Sequence, residues 1–139
     1  MEEKMLKLII GAKGSGKTKT LIEMVNKALA ETNGSVVCIE KGDKLRFDIK
    51  YQCRLIDTEQ YKIADGEALY GFAAGMLASN HDISDLFIDS ALKICGNDTA
   101  SFDKFLDKLN LLVNELGVNC LITSSLAVED ATVTMKKYI

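Results

Sequence analysis

Eight consecutive residues, Gly11-Ala12-Lys13-Gly14-Ser15-Gly16-Lys17-Thr18, satisfy the spacing G-x-x-x-x-G-K-[ST] at every required position. Each residue type has a physical task in that pattern. Gly11, Gly14 and Gly16 allow a backbone that wraps an anion with its N–H groups turned inward. The helix expected to follow adds the partial positive charge of its first turn. Lys17 is placed to reach the β- and γ-phosphates of a nucleotide, and the Thr18 hydroxyl to ligate Mg²⁺. Lys13 reads as solvent-facing or as an added phosphate contact, and Ala12, Ser15 and Lys19 complete the expected nucleotide-binding residues, Gly11 to Lys19. The chemistry this predicts is capture of the phosphates of a nucleoside triphosphate together with Mg²⁺.

Such a loop needs a second partner, a strand that ends in an acidic residue and orients the metal and its water. Leu86-Phe87-Ile88-Asp89 fits, with Asp89 as the carboxylate. Asp57, at the end of a weaker strand, is the competing candidate. Asp85 opens the Asp89 strand at the wrong end for the metal and reads as a solvated turn residue.

With these two motifs the chain resembles a P-loop NTPase of the RecA-like, additional-strand type. Over nearly its full length it also resembles small uncharacterised bacterial P-loop proteins, some loosely labelled twitching-motility ATPases. A pilus-retraction motor would need a second domain and arginine-rich subunit contacts, and this sequence holds only Arg46 and Arg54. The resemblance implies a catalytic Glu directly after Asp89, but Ser90 stands there. RecA-like ATPases instead take that Glu from the tip of the strand beside the metal-binding one. Val36-Val37-Cys38-Ile39-Glu40 ends in a glutamate at a similar place, so Glu40 is either the residue that activates the attacking water or an ordinary strand-end charge. The resemblance also makes Val118–Thr123 the sensor strand, lying between the glycine-loop strand and the Asp89 strand. Thr123, Ser124 or Ser125 at its tip would meet the γ-phosphate, or would simply be turn residues.

The elements that must position these residues alternate between strand and helix. Strands are expected at Met5–Ile10, Ser35–Glu40, Tyr51–Asp57, Asp85–Asp89 and Val118–Ser124. Helices are expected at Gly16–Glu31, Asp65–Ser79 and Thr99–Gly117, the last carrying Phe102, Phe105, Leu106, Leu109, Leu112, Val113 and Leu116 as a core stripe. Lys41–Lys50 reads as a loop or edge, and Ala131–Ile139 as a tail forming an edge strand. Gly71 and Gly75, four apart, predict close packing of their helix against the sheet. Strands joined by helices imply parallel pairing and right-handed crossovers. The expected fold is α/β, a three-layer α/β/α sandwich with a mainly parallel sheet in one domain spanning 1–139, with its ligand at the carboxyl ends of the strands.

Composition narrows the function. The chain has 139 residues, 47 % hydrophobic and 27 % charged, with a net charge of −3. That suits one soluble domain and offers no global basic charge for nucleic acid. Lys41, Lys44, Arg46, Lys50 and Arg54, with Phe47 and Tyr51 between them, form a local basic run, but Asp43 and Asp48 interrupt it. A solvated face is the expectation there and nucleic-acid binding is not. Four cysteines without a C-x-x-C pair and with a single histidine, His81, argue for reduced, buried thiols in a cytoplasmic protein. No apolar stretch is long enough for a bilayer, and the charged lead Met1–Lys7 is not a signal peptide. No N-K-x-D motif is present, which favours ATP over GTP. The functional expectation is an Mg²⁺-dependent ATP-binding switch with slow or partner-stimulated hydrolysis, the partner being another protein or a second subunit. A small nucleoside or nucleotide kinase, or an ATP binder without hydrolysis, are the alternatives.

Overall fold

The computed structural model describes residues 5–139, so the first four residues of the charged lead lie outside it. The elements follow in the order β1 (Leu6–Gly11), α1 (Lys17–Glu31), β2 (Ser35–Glu40), a 3₁₀ turn at Lys44–Phe47, β3 (Arg54–Asp57), α2 (Gly66–Ser79) and β4 (Ile83–Ile88). Then come α3 (Ala91–Ile94), α4 (Thr99–Leu116), β5 (Asn119–Ser125), a 3₁₀ turn at Val128–Asp130 and α5 (Val133–Lys136). One five-stranded sheet, all parallel, has the order β1-β5-β4-β2-β3. The fold is thus α/β with three layers, and β5 lies between β1 and β4.

The layering follows from the handedness of parallel connections. The chain moves from β1 to β2 and on to β3 in one direction across the sheet, then from β3 to β4 and β5 in the other. Right-handed crossovers therefore place α1 on one face and α2 and α4 on the opposite face. Leu21 and Val25 of α1 are buried with Val36, Cys38 and Phe87 on the first face, joined by Leu45, Ile49 and Cys53 from the β2–β3 connection. Phe102, Phe105, Leu106, Leu109 and Val113 of α4, with Leu69, Ala73 and Leu77 of α2, are buried with Leu6, Leu8, Val37, Ile39, Leu86, Ile88, Cys120 and Ile122 on the second. Adjacent residues of β2 and β4 thus serve opposite layers, which is why these strands read as continuous apolar runs rather than alternating ones.

Caps define the helix ends. Asp65 Oδ1 accepts from Ala68 N at 2.7 Å and opens α2, and Asp98 Oδ1 accepts from Ser101 N at 3.2 Å and opens α4. Gly117, at φ 70°, closes α4 in the left-handed conformation.

Two expectations are corrected. The C-terminal tail is not an edge strand. Thr132 caps a helical turn through Met135 N at 3.1 Å, and Met135 is fully buried. The tail nevertheless guards the β1 edge, because Leu8 N donates to Tyr138 O at 2.8 Å. Tyr138 is itself anchored to Asp107 of α4 by a 2.6 Å hydrogen bond. Gly71 and Gly75 do not pack against the sheet. The buried face of α2 is Gly66, Leu69, Ala73 and Leu77, and a Cβ built on Gly71 or Gly75 meets nothing within 4 Å.

Two tests follow from this packing. Gly71→Ala and Gly75→Ala should each raise the unfolding free energy by about 0.5–1 kcal/mol, since each removes only backbone entropy from an exposed helix position. Gly34→Ala should lower it, because its Cβ would stand 2.5 Å from the Asp82 carbonyl oxygen. Denaturant titration reads both signs, and a loss of stability in the α2 variants would disprove the open face. Burial also pushes up the thiols of Cys38 and Cys120, Cys53 to about 11 and Cys95 to about 12. All four should resist a disulfide-exchange reagent at pH 8 in the native protein and react together on unfolding; a fast-reacting native thiol would contradict their burial.

Candidate functional site

Parallel register places four polar residues in one row at the carboxyl edge of the sheet. Glu40 is level with Asp57 of β3. Ile39 pairs with Ile88 and Ile88 with Ile122, so Glu40, Asp89 and Thr123 follow on β2, β4 and β5. Two-residue periodicity turns all of them to the face covered by α1. Asp89 is 8 % exposed, Glu40 3 % and Thr123 1 %. Polar groups so deeply placed need partners.

Asp89 has them. Thr123 Oγ1 donates to Asp89 Oδ1 at 2.6 Å, and the Thr18 hydroxyl lies 3.3 and 3.4 Å from the two carboxylate oxygens. Thr123 in turn accepts from Ser90 N at 3.0 Å. Ser90 holds φ 57°, a left-handed conformation unusual for a residue with a side chain, at the sharp turn from β4 into α3.

The glycine loop spans from β1 to α1. Gly14 and Gly16 take φ 84° and 92°, and a Cβ on Gly11 would stand 2.7 Å from Ser15 Oγ. These are the conformations and the close approach for which glycine is needed. Ser15 N bonds Ala12 O at 3.1 Å, which closes the loop. Lys17 is buried, and its ammonium donates to Ala12 O at 2.9 Å, with Ser15 Oγ at 3.5 Å. The first turn of α1 has neither a side-chain cap nor an acidic residue. Its amides therefore have no intrahelical acceptor and are open to an anion.

A cleft of about 570 Å³ connects loop and row, a volume in the range of small-molecule sites. Lys13, Lys17, Lys19, Lys41, Lys44 and Lys93 line it with Glu40 and Asp89. Six lysines against two carboxylates make a local excess of four positive charges in a chain of net charge −3. Lys13 and Lys19 are exposed at its mouth.

Thr18 and Asp89 are the residues that could hold a magnesium ion. Adjacent ligands of an octahedral Mg²⁺, each at about 2.1 Å, are about 3.0 Å apart. The Thr18–Asp89 oxygen separations of 3.3 and 3.4 Å leave the two oxygens able to serve as neighbouring ligands, and among the described residues no group of three His, Cys, Asp or Glu side chains is placed to hold a metal without further ligands.

Glu40 is buried and bonded to the backbone that follows it. Its Oε1 accepts from Lys44 N at 3.1 Å and Leu45 N at 3.4 Å, and its Oε2 accepts only from Leu45 N at 3.3 Å. It therefore holds the start of the 3₁₀ turn while lining the cleft. Burial raises its pKa above the usual carboxylate value, and the charges of Asp89 and Asp57 add to the rise, against the two backbone N–H groups that lower it.

Other candidates are sorted by position. Asp57 is turned to loop construction, accepting from Gly42 N at 2.8 Å and Glu59 N at 2.9 Å. Asp85 accepts from Ser84 Oγ at the far end of β4. Ser124 faces the layer opposite α1, where its hydroxyl accepts from Leu92 N at 3.1 Å; it fixes α3 and does not reach the cleft. Ser125 does line the cleft beside Thr123. The basic run does not assemble one face. Lys41 and Lys44 turn to the cleft, Arg46 pairs with Asp43 at 3.2 Å, and Arg54 lines a separate groove on β3.

Sequence reasoning missed α3 and with it Lys93, and it read Lys41 and Lys44 as part of a solvated run. A signal existed for both. Residues just beyond strand ends in a parallel sheet border its crevice, and Lys41 and Ser90 directly follow Glu40 and Asp89.

Comparison of the chain with protein-family models and with curated protein sequences finds no match for either. Among the described residues, no helix is long and apolar enough to cross a membrane.

The Thr123–Asp89 bond sets a test. Thr123→Val should cost about 1–3 kcal/mol, because it removes a bond to a buried carboxylate and strands the Ser90 amide. Thr123→Ser should recover most of that loss. Equal stability of Val and wild-type proteins in denaturant would show that the row is not held by this hydroxyl.

Proposed function

We propose that this protein binds ATP as its Mg²⁺ complex in the loop-lined cleft and hydrolyses it slowly or on stimulation by a partner, acting as a nucleotide-dependent switch. The observation that carries the reading is the convergence of Lys17, Thr18, Asp89 and Glu40, drawn from three separate segments, on one cationic cleft. The strand order, with β5 between β1 and β4, supports it further.

The roles follow from chemistry. Lys17 exchanges its loop carbonyl for the β- and γ-phosphate oxygens, a better acceptor for an ammonium than Ala12 O. The open amides of the loop and of the first turn of α1 bind the same phosphates. Thr18 and Asp89 hold Mg²⁺, which when bound neutralises charge on the phosphate oxygens. Thr123 keeps Asp89 oriented. Glu40 Oε2, with its single long hydrogen bond, keeps a lone pair for a water and can accept its proton. Both arginines lie outside the cleft, which fits slow unaided turnover.

Mg²⁺-dependent phosphate release and nucleotide binding test this together. Lys17→Ala should weaken ATP binding by about tenfold or more. Glu40→Gln keeps one acceptor for the 3₁₀ turn and should abolish turnover while sparing binding. Because the base acts ionised and its pKa is raised, wild-type turnover should climb with pH through a midpoint above the usual carboxylate range. Failure of the wild-type protein to bind any nucleoside triphosphate would end this reading. Binding without turnover would leave a switch lacking intrinsic hydrolysis, and unchanged turnover in Glu40→Gln would remove Glu40 as the base.

A further inference from the structure

The cleft carries more positive charge than the glycine loop brings to it. Lys41, Lys44 and Lys93 lie outside that loop and line the same space. Among the described residues none of the three forms an ion pair; the pairs present are Arg46–Asp43 and Lys137–Asp107, both elsewhere.

Lys44 and Lys93 reach the cleft from opposite faces of the sheet. Lys44 sits on the 3₁₀ turn, whose Leu45 is buried in the α1 layer. Lys93 sits on α3, whose Ala91, Leu92 and Ile94 are buried in the α4 layer. Each is also tied to the polar row. The Lys44 amide is bonded to Glu40 Oε1 at 3.1 Å. The segment bearing Lys93 starts at Ser90, directly after Asp89, and is fixed there by the Ser90 N–Thr123 Oγ1 and Leu92 N–Ser124 Oγ bonds. Both lysines are exposed to the cleft, on segments anchored at the stretch where Glu40 and Asp89 stand on neighbouring strands. In the reading above, that stretch receives the terminal phosphate.

The terminal phosphate of a nucleoside triphosphate carries negative charge that a diphosphate lacks at that place, so cations in reach of it favour the triphosphate in binding. No arginine lines the cleft. We propose that Lys44 and Lys93 contact the terminal phosphate of a bound nucleoside triphosphate from within this chain, so that the site discriminates triphosphate from diphosphate without a cation from a second subunit. This inference rests on the cleft being the nucleotide site. Lys41, the neighbour of Glu40 in sequence, widens the same positive field.

The test is selectivity rather than affinity. Dissociation constants would be measured, with Mg²⁺, for ADP and for the non-hydrolysable β,γ-imido analogue of ATP. The proteins are wild type, Lys44→Ala, Lys93→Ala, the double variant, Lys44→Arg, and Lys50→Ala as an exposed lysine outside the cleft. Each single alanine variant should weaken the triphosphate analogue about tenfold and change ADP by no more than about twofold. The double variant should lose roughly the product of the two, because the side chains approach from opposite faces. Lys44→Arg should restore selectivity, and Lys50→Ala should match wild type. A role in structure alone would move both ligands equally. If wild type binds both nucleotides and the alanine variants leave their ratio unchanged, the lysine assignment falls while the nucleotide site stands. If wild type binds neither, both fall.

Discussion

A carboxylate taken out of water is tolerated only where donors meet it, and Asp89 is such a carboxylate at the end of a central strand. Its donors come from two other segments: Thr123 on the neighbouring strand at 2.6 Å, and Thr18 on the first turn of α1 at 3.3 Å. Satisfying this one group fixes the register of β4 against β5 and the distance of α1 from the sheet edge. The Thr123 oxygen that donates to Asp89 also receives the Ser90 amide, which holds the left-handed turn into α3. The glycine loop, the strand edge and α3 are thus referenced to one buried charge, and the cleft between them inherits its shape from that arrangement.

Handedness explains why the cleft is cationic although the protein is acidic. Connections that run one way across a parallel sheet must lie on one face, and those that run back must lie on the other. The loop and the Lys44 turn belong to the first group, and α3 belongs to the second. Only at the carboxyl edge do the two groups meet, so lysines distant in sequence are brought to one space. The local field then opposes the overall charge.

Glu40 both organises local backbone and lines the cleft. Its carboxylate organises the turn that follows β2, and burial, with the charges of Asp89 and Asp57 beside it, raises its pKa against the two turn amides that lower it. Both oxygens serve the turn: Oε1 accepts from Lys44 N, and Leu45 N is shared between Oε1 at 3.4 Å and Oε2 at 3.3 Å.

Much of this was legible in the residues themselves. The spacing from Gly11 to Thr18 allows few backbones, since Gly14 and Gly16 occupy conformations that side chains disfavour. The short apolar runs at Ser35–Glu40 and Leu86–Ile88, alternating with helical patterns, read as strands buried on both faces, with Glu40 and Asp89 at their carboxyl ends. Local pattern thereby determined the element types, the parallel sheet and three residues of the row. Tertiary structure alone decided the rest. Whether Asp89 or Asp57 faces the loop depends on strand order, because both end a strand and only β4 lies beside β5. Whether Thr123 or Ser124 enters the cleft depends on which layer covers which face of β5, a consequence of crossover direction. The tail became a helical turn because Met135 found a buried site on α4 and Tyr138 an anchor at Asp107. Gly71 and Gly75 stayed open because the packing stripe of α2 runs through Leu69, Ala73 and Leu77. Lys44 and Lys93 share a cleft for the same reason: their separation in sequence says nothing of distance until the sheet has set the order of its strands.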